Sequence, residues 1–444
     1  MLSRRELLQI SGLLAAPGAL TAVAHALAAP DYRIEIAPAT VEVSPRHKIA
    51  TLAYNGQVPG PLLRLKEGQP SVIEVTNRSD RPEVVHWHGL FLPPQIDGAM
   101  EEGTPPIAPG QTSRYTLVPR PAGFRWYHTH TMAMGDLTRA QYGGQHGPLL
   151  VEPRDNPGRY DRELFVTLHD WDGHLLASDD GAMNPSYSVS TINGKVMGAG
   201  EPLRVKEGER VLLHVLNSSP TEVHWVALSG HDLQVIALDG NPVPTPRTVP
   251  MLRLAPAERV CALVAMNNPG TWVLGEVRRH VQAAGMAIAV EYANHSGTPR
   301  WQQPNELRWS YGDFAAPPTP RADTTGDAIT EVPLVFESRF RGHGAMEAWT
   351  INDKSFPDTA IVPLVAGRRY RLQLINKSMD DHPVHLHRHS FELRGSSIVK
   401  DVLLVDAQTR AEVEFTATNP GRTLFHCHQQ NHMDLGFMML FDYV

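Results

Sequence analysis

Cysteine is nearly absent from this chain: Cys261 and Cys427 are the only two among 444 residues. A disulfide framework is therefore excluded, and one bridge is the most the sequence allows. An excess of one charge sign is also missing, because 40 basic against 47 acidic residues leave a formal net charge of -7. No phosphate-neutralising surface follows, so nucleic acid is not an expected partner. Beyond the N-terminal segment there is no helical periodicity, and no apolar run reaches the roughly 20 residues of a membrane span. The length exceeds what one core serves, and points to three domains of ordinary size.

Histidine is plentiful, with 22 residues, and proline and glycine together contribute 72 (37 and 35) that punctuate short segments. The N-terminus reads Ser3-Arg4-Arg5, then an apolar stretch from Ile10 to Ala24 interrupted by Pro17 and Gly18, then Ala26-Leu27-Ala28-Ala29. This resembles a twin-arginine signal peptide over residues 1–29, implying export by the twin-arginine machinery and a periplasmic or secreted mature chain. The stretch is too short and too polar for a permanent membrane anchor.

An internal repeat organises the rest. Leu63-Arg64-Leu65-Lys66-Glu67-Gly68 recurs as Leu203-Arg204-Val205-Lys206-Glu207-Gly208 and, more worn, as Leu364-Val365-Ala366-Gly367. Nine residues after each glycine stand Asn77, Asn217 and Asn376, each followed two residues on by Ser79, Ser219 or Ser378. Upstream lie Asn55-Gly56, Asn193-Gly194 and Asn352-Asp353, pairs that favour tight hairpin turns with positive φ. Alternating stretches such as Val72-Ile73-Glu74-Val75 read as half-buried strands. The expected fold is all-β: three antiparallel Greek-key sandwiches over 30–155, 156–295 and 333–444, with a proline-rich connection over 296–332.

The histidines fall on that repeat. His86 and His88 lie nine and eleven residues after Asn77, and His385 and His387 hold the same offsets from Asn376. His128 and His130 lie five and seven after Gly123, as His426 and His428 do after Gly421. The middle repeat is the control: the same counts reach Val226 and Leu228, and Gly275 and Val277. Histidines kept for packing would not obey both frames in two domains and vanish from the third. Along a strand, residues i and i+2 share a face, so each His-x-His aims two imidazoles one way. Four such pairs converge if the terminal domains pack together. Imidazole alone leaves copper, zinc, iron or nickel open. Cys427, between His426 and His428, points to the opposite face and must serve a different metal. With His382 and His432 it completes a His2Cys set, the blue-copper arrangement.

At this point the chain resembles the multicopper oxidase family over nearly all its mature length, with four copper motifs in order. The resemblance implies three cupredoxin-like domains and four copper ions. His382, Cys427 and His432 are similar to type 1 ligands, and His86 and His385 to type 2 ligands. His88, His128, His130, His387, His426 and His428 are similar to the ligands of the type 3 pair. Where many bacterial relatives place an axial methionine, ten residues after Cys427, this chain has Phe437, which cannot coordinate; Met438 beside it is the alternative. Asp97 resembles the family's proton-delivering aspartate, and it equally suits a turn before Gly98. A glutamate found after the last type 1 histidine in some relatives is replaced by Met433, followed by Asp434.

His224, His231, His280, His343 and His389 lie outside the ligand set, and Cys261 reads as a small buried hydrophobe. The expected activity is laccase-like: one-electron oxidation of phenols or aromatic amines near His432, coupled to four-electron reduction of O2 to water. A Cu(I) oxidase is the nearest rival, although the methionines are dispersed except for Met132 with Met134 and the Met438-Met439 pair. A two-domain nitrite reductase would lack the eight cluster histidines, and a copper-free scaffold would not keep them.

Overall fold

The computed structural model describes residues 29–154, 159–177, 183–316, 329–340 and 346–444. Strands dominate it, as alternation and turn chemistry require. Leu63–Lys66, for example, buries Leu63 and Leu65 and exposes Arg64 and Lys66. Among the described residues the α-helices are three pieces of four or five residues: Pro94–Asp97, Arg279–Ala283 and Gln430–Asp434. No helix there is long and apolar enough to cross a membrane. The expected signal segment lies outside the described residues up to position 28, as do positions 317–328 of the expected connection.

Three sandwiches follow one another, each a pair of sheets. The first pairs two four-stranded sheets between Tyr32 and Glu152; the second and third each pair a six-stranded with a five-stranded sheet. In every unit the first strand runs parallel to the strand that ends in the repeated asparagine: Tyr32–Ser44 with Ser71–Asn77, Arg162–Ala177 with Arg210–Asn217, and Thr330–Phe340 with Arg369–Asn376. A hairpin cannot make a parallel pair, so each unit closes by a crossover.

The repeat has a physical cause in two asparagine staples. Asn55, Asn193 and Asn352 each sit at φ 52°, left-handed backbone that asparagine tolerates. Each side chain accepts from one backbone N–H (Glu35, Thr167 or Val335) and donates to the carbonyl two residues before it (Arg33, Phe165 or Pro333). At the strand end, Asn77, Asn217 and Asn376 accept from the N–H of Ser79, Ser219 and Ser378. Their amide nitrogens donate to the carbonyls of Ile107, at an isolated bridge with Glu83, and of Leu254 and Val405 on the neighbouring sheets. Each sandwich has its own apolar core. A further cluster of Phe124, Trp126, Leu216, Cys261 and Val402 joins all three units.

Candidate metal centre

Strand pairing sets the histidines side by side. His86 faces His128 across one sheet of the first sandwich, and His385 faces His426 in the third. All eight rings of the four His-x-His pairs are buried. Rings of the two sandwiches interleave: His88 stacks on His385 with centroids 3.9 Å apart, and His86 on His387 at 4.0 Å. Ligand-capable atoms of His86, His385 and His387 lie within 4.8 Å of one another, as do those of His86, His88 and His128, and of His130, His387 and His426.

Four of the rings are held from outside the cluster through one nitrogen. His86 Nδ1 donates to the Asp97 carbonyl at 2.9 Å and His385 Nδ1 to the Asp401 carbonyl at 2.6 Å. His88 Nε2 donates to Asp401 Oδ1 at 3.1 Å, and His387 Nδ1 to Asp97 Oδ2 at 2.9 Å. That leaves His86 Nε2, His88 Nδ1, His128 Nε2 and His385 Nε2 buried without a hydrogen-bond partner. His387 Nε2 and His426 Nε2 lie 3.1 Å apart although both Nδ1 atoms already donate, so two lone pairs face each other. Burial holds both rings well below the usual imidazole range, which removes a shared proton as the remedy. A metal cation reconciles the arrangement, and an all-imidazole donor set suits copper.

The second cluster lies inside the third sandwich. His382 Nδ1 and His432 Nδ1 are 3.1 Å apart, and Cys427 Sγ is 3.7 Å from the first and 3.4 Å from the second. Ser378 Oγ engages His382 Nε2 at 2.8 Å, so the asparagine–serine staple also orients this ring. Burial pushes the Cys427 thiol up and holds His432 to about 3. A thiol so raised is a ligand only when a cation displaces its proton. Phe437 packs against His382 with centroids 4.7 Å apart, within the core that contains Cys427. Met438 faces the other way, among Ala99, Leu424 and Met433.

This place in the sandwich is used three times. His382 pairs with Val405, and two residues on Val384 pairs with Cys427. In the middle unit His224 pairs with Leu254, and Val226 with Glu276. In the first, Glu83 bridges Ile107, and Val85 pairs with Thr129. The equivalents of His382 and Cys427 are thus His224 and Glu276, and Glu83 and Thr129. One extra residue separates Asn217 from its strand, so counting from Asn217 slips by one. The middle-unit equivalents of His385 and His387 are Ala227 and Ser229, which still offer no imidazole.

Asp97 lies where the sequence placed it, beside the cluster. The reading missed Glu102, whose Oε1 is 3.5 Å from His387 Nδ1 and accepts from Leu424 N. Burial and the neighbouring Asp97 hold its carboxyl well above the usual range. It also missed Asp401, whose side-chain partners Arg259, Arg125 and His88 lie 142, 276 and 313 positions away and leave no local pattern. Asp434 accepts from the backbone of Ala133 and Met134 and from Gln430, bracing the first sandwich against the helix that carries His432. His224 is ion-paired with Asp170 and Glu276, His231 with Tyr292 OH forms a hydrogen bond, and His280 is exposed. His389 bonds the His387 carbonyl and Tyr443 OH, outside the cluster. His343 lies outside the described residues. Cys261 is not merely apolar: its Sγ is 3.2 Å from His214 Nδ1.

Comparison with known proteins decides the family. Three multicopper oxidase family models match residues 35–156, 162–293 and 332–444. The multicopper oxidase MmcO of Mycobacterium tuberculosis is 30% identical over 442 residues, covering 89% of this chain and 84% of that one. The chain belongs to the multicopper oxidase family. Its three sandwiches are cupredoxin-like domains, and it is a copper-binding oxidoreductase that uses O2 and a reductant. Copper resistance protein A of Escherichia coli is 24% identical, over 93% of this chain and 92% of the relative. A multi-copper oxidase from Pseudomonas thermotolerans superposes with TM-score 0.71 at 26% identity, covering 94% of this chain and all of that one. The Botrytis aclada laccase, at 22% identity, shares the fold with TM-score 0.78 over 92% and 87% of the two chains.

Proposed function

We propose that this protein is a laccase-like oxidase of phenols or aromatic amines, holding four copper ions in two separate sites. His382, Cys427 and His432 hold one type 1 ion, His86 and His385 the type 2 ion, and His88, His128, His130, His387, His426 and His428 the type 3 pair. Bound copper supplies one-electron oxidation at the first site and reduction of O2 to water at the second. The observation that carries the reading is the Cys427 strand, where the thiol faces His382 and His432 while His426 and His428 face the cluster. One backbone segment thereby joins the site that takes electrons to the site that uses them.

The chain's own residues do the rest. Trp349 packs on His432 with centroids 4.3 Å apart, and the ring is buried. Asp97, bonded to His387 and beside Glu102, whose carboxyl is held well above the usual range by burial and by Asp97, is the acid placed to deliver protons to the cluster. Phe437, packed against His382 beside Cys427, offers no donor atom to an ion held by these residues, which would favour a more oxidising site. Residues 1–29 direct twin-arginine export, so the mature protein works in the periplasm or outside the cell.

Oxidation of Cu(I) is the second reading, and one observation favours it. Met134 and Met379 are 73% and 72% exposed; Met134 lies on a loop of the first sandwich whose backbone bonds Asp434 of the helix that carries His432, and Met379 on the segment leading into the strand that carries His382. Copper loading, a visible spectrum and O2 uptake on a phenol and on Cu(I) separate the readings. Intense blue absorption with phenol turnover is expected. Four coppers without the blue band would refute the thiolate assignment, turnover of Cu(I) alone would install the second reading, and inertness to both would leave a scaffold.

A further inference from the structure

We propose that Arg259, from the ligand-free middle sandwich, is a positioning residue for the histidine cluster and acts through Asp401. The inference rests on the copper assignment above. Asp401 meets both sides of the cluster: its carbonyl accepts from His385 Nδ1 at 2.6 Å and its Oδ1 from His88 Nε2 at 3.1 Å. Those two rings come from different sandwiches and stack on each other, so one residue sets the rotation of both. Asp401 is itself set by Arg259, whose NH1 reaches Oδ1 at 2.7 Å and NH2 reaches Oδ2 at 2.6 Å. Two parallel bonds fix the plane of a carboxylate as a lysine point charge cannot.

The guanidinium is held in turn. Its NH1 and NH2 donate to the Ala257 and Asp239 carbonyls at 2.9 and 3.1 Å, and Arg125 of the first sandwich approaches Asp401 Oδ2 at 3.2 Å. Lys400 bridges Asp239 and Glu258, both at 2.9 Å. Arg125, Arg259 and Lys400 thus face Asp239, Glu258 and Asp401, three charges of each sign, all buried where three domains meet. Gly89, directly after His88, makes room: a Cβ there would lie 2.7 Å from Asp401 Oδ2 and 3.0 Å from Arg259 NH2.

Buried ion pairs are poor sources of stability, because desolvation consumes the Coulombic gain, so glue alone does not explain this network. Its directionality does. Hydrogen bonds to the outer nitrogen of a metal-bound histidine fix tautomer and ring orientation, and losing such a partner costs about 10–100-fold in metal affinity. The middle sandwich supplies no ligand, yet it supplies the fork that fixes the acceptor for a ligand on either side.

The test compares full-length R259K, R259Q, D401N and the neutral double variant R259Q/D401N with wild type. Copper affinity is read by competition with a chelator, the type 2 signal by electron paramagnetic resonance, and folding by melting of the copper-free chain. R259Q alone leaves Asp401 under-paired and is expected to melt earlier; the double variant restores electroneutrality and much of the melting temperature. In R259K and in the double variant, cluster copper is expected to bind about 10–100-fold more weakly with altered type 2 hyperfine splitting, while the blue band keeps its intensity. A stable double variant with wild-type cluster affinity and hyperfine splitting would overturn the inference. Wild type that binds blue copper but no cluster copper would overturn the copper assignment and this inference together.

Discussion

His387 of the third sandwich donates through Nδ1 to Asp97 Oδ2 of the first at 2.9 Å, across 290 positions of sequence. The reciprocal bond runs from His88 of the first sandwich to Asp401 of the third. Each aspartate also accepts, through its carbonyl, from a histidine of its own domain, His86 or His385. The two faces are alike in geometry and differ in their neighbours: Asp401 meets the Arg259 guanidinium, Asp97 the Glu102 carboxyl. Burial works to raise Asp401, but Arg259 outweighs it and holds the carboxyl to about 2. Asp97 has Glu102 beside it instead, whose carboxyl burial and Asp97 itself hold well above the usual range.

Proton delivery from the Asp97 side follows. Asp97→Asn preserves an acceptor for His387 and removes the acid. O2 uptake at saturating phenol is expected to fall about 100-fold or more, the usual scale of a general acid. Anaerobic bleaching of the blue band by the same phenol should keep its rate, because that step involves the other site. Unchanged O2 uptake would remove Asp97 from the mechanism.

The middle sandwich carries a pH dependence of its own. Burial alone would lower His224, but Asp170 and Glu276 outweigh it and raise the ring to about 10, against 6.5 when unpaired. Glu222 and Arg278 are the other charges facing this group, and Ser190 and Ser219 bond Asp170. A raised imidazole stabilises fully below pH 6.5, progressively less as pH rises, and not at all above about 10. His224→Gln should flatten the fall in melting temperature over that window. At its acid end the variant should be about 3–5 kcal/mol less stable, the cost of breaking a buried pair. A variant whose melting curve still parallels wild type from neutral to alkaline pH would contradict the assignment.

Whatever repeats locally was legible in the sequence. The asparagine staples act within one sandwich, so their residues recur at fixed spacing, and the His-x-His pairs ride on the same strands. Whatever acts between sandwiches was not. Asp401, Glu102 and Arg259 meet their partners only after the domains pack, and no period in the chain records that. Cys261 and His214 are 47 positions apart and face each other only once strand register is fixed, which is why the thiol read as apolar. The one-residue slip in the middle frame has a similar origin, since a longer turn after Asn217 is invisible until Leu254 is seen opposite His224.

Phe437 and Met438 occupy opposite faces of the last strand, which separates their effects. Phe437→Met places a thioether beside His382 and Cys427, where it stabilises the oxidised ion. The type 1 potential should fall by about 60 mV or more, a tenfold change in a one-electron equilibrium. Met438→Leu, in the pocket with Ala99 and Leu424, should leave the potential where it was. Potentiometry on both variants decides, and the reverse ranking would make Met438 the axial residue.

Arg388 stands directly after His387, where the first sandwich has Gly89 directly after His88, and both residues are left-handed, with φ 59° and 83°. An arginine is strained there by about 1–3 kcal/mol, so its side chain must return more than that. Its buried guanidinium donates to the carbonyls of Leu92, Asn419, Pro420, Gly421 and Arg422 and to Thr423 Oγ1, tying the first sandwich to the strand that carries His426. Arg388→Gly relieves the backbone and strands those acceptors, each worth about 1–3 kcal/mol when left buried and unpaired. The melting temperature is therefore expected to fall despite the relaxed φ, and Arg388→Lys, with fewer donors, should recover little of it. A glycine variant that melts at or above wild type would mean that backbone strain, rather than the clasp, dominates at this position.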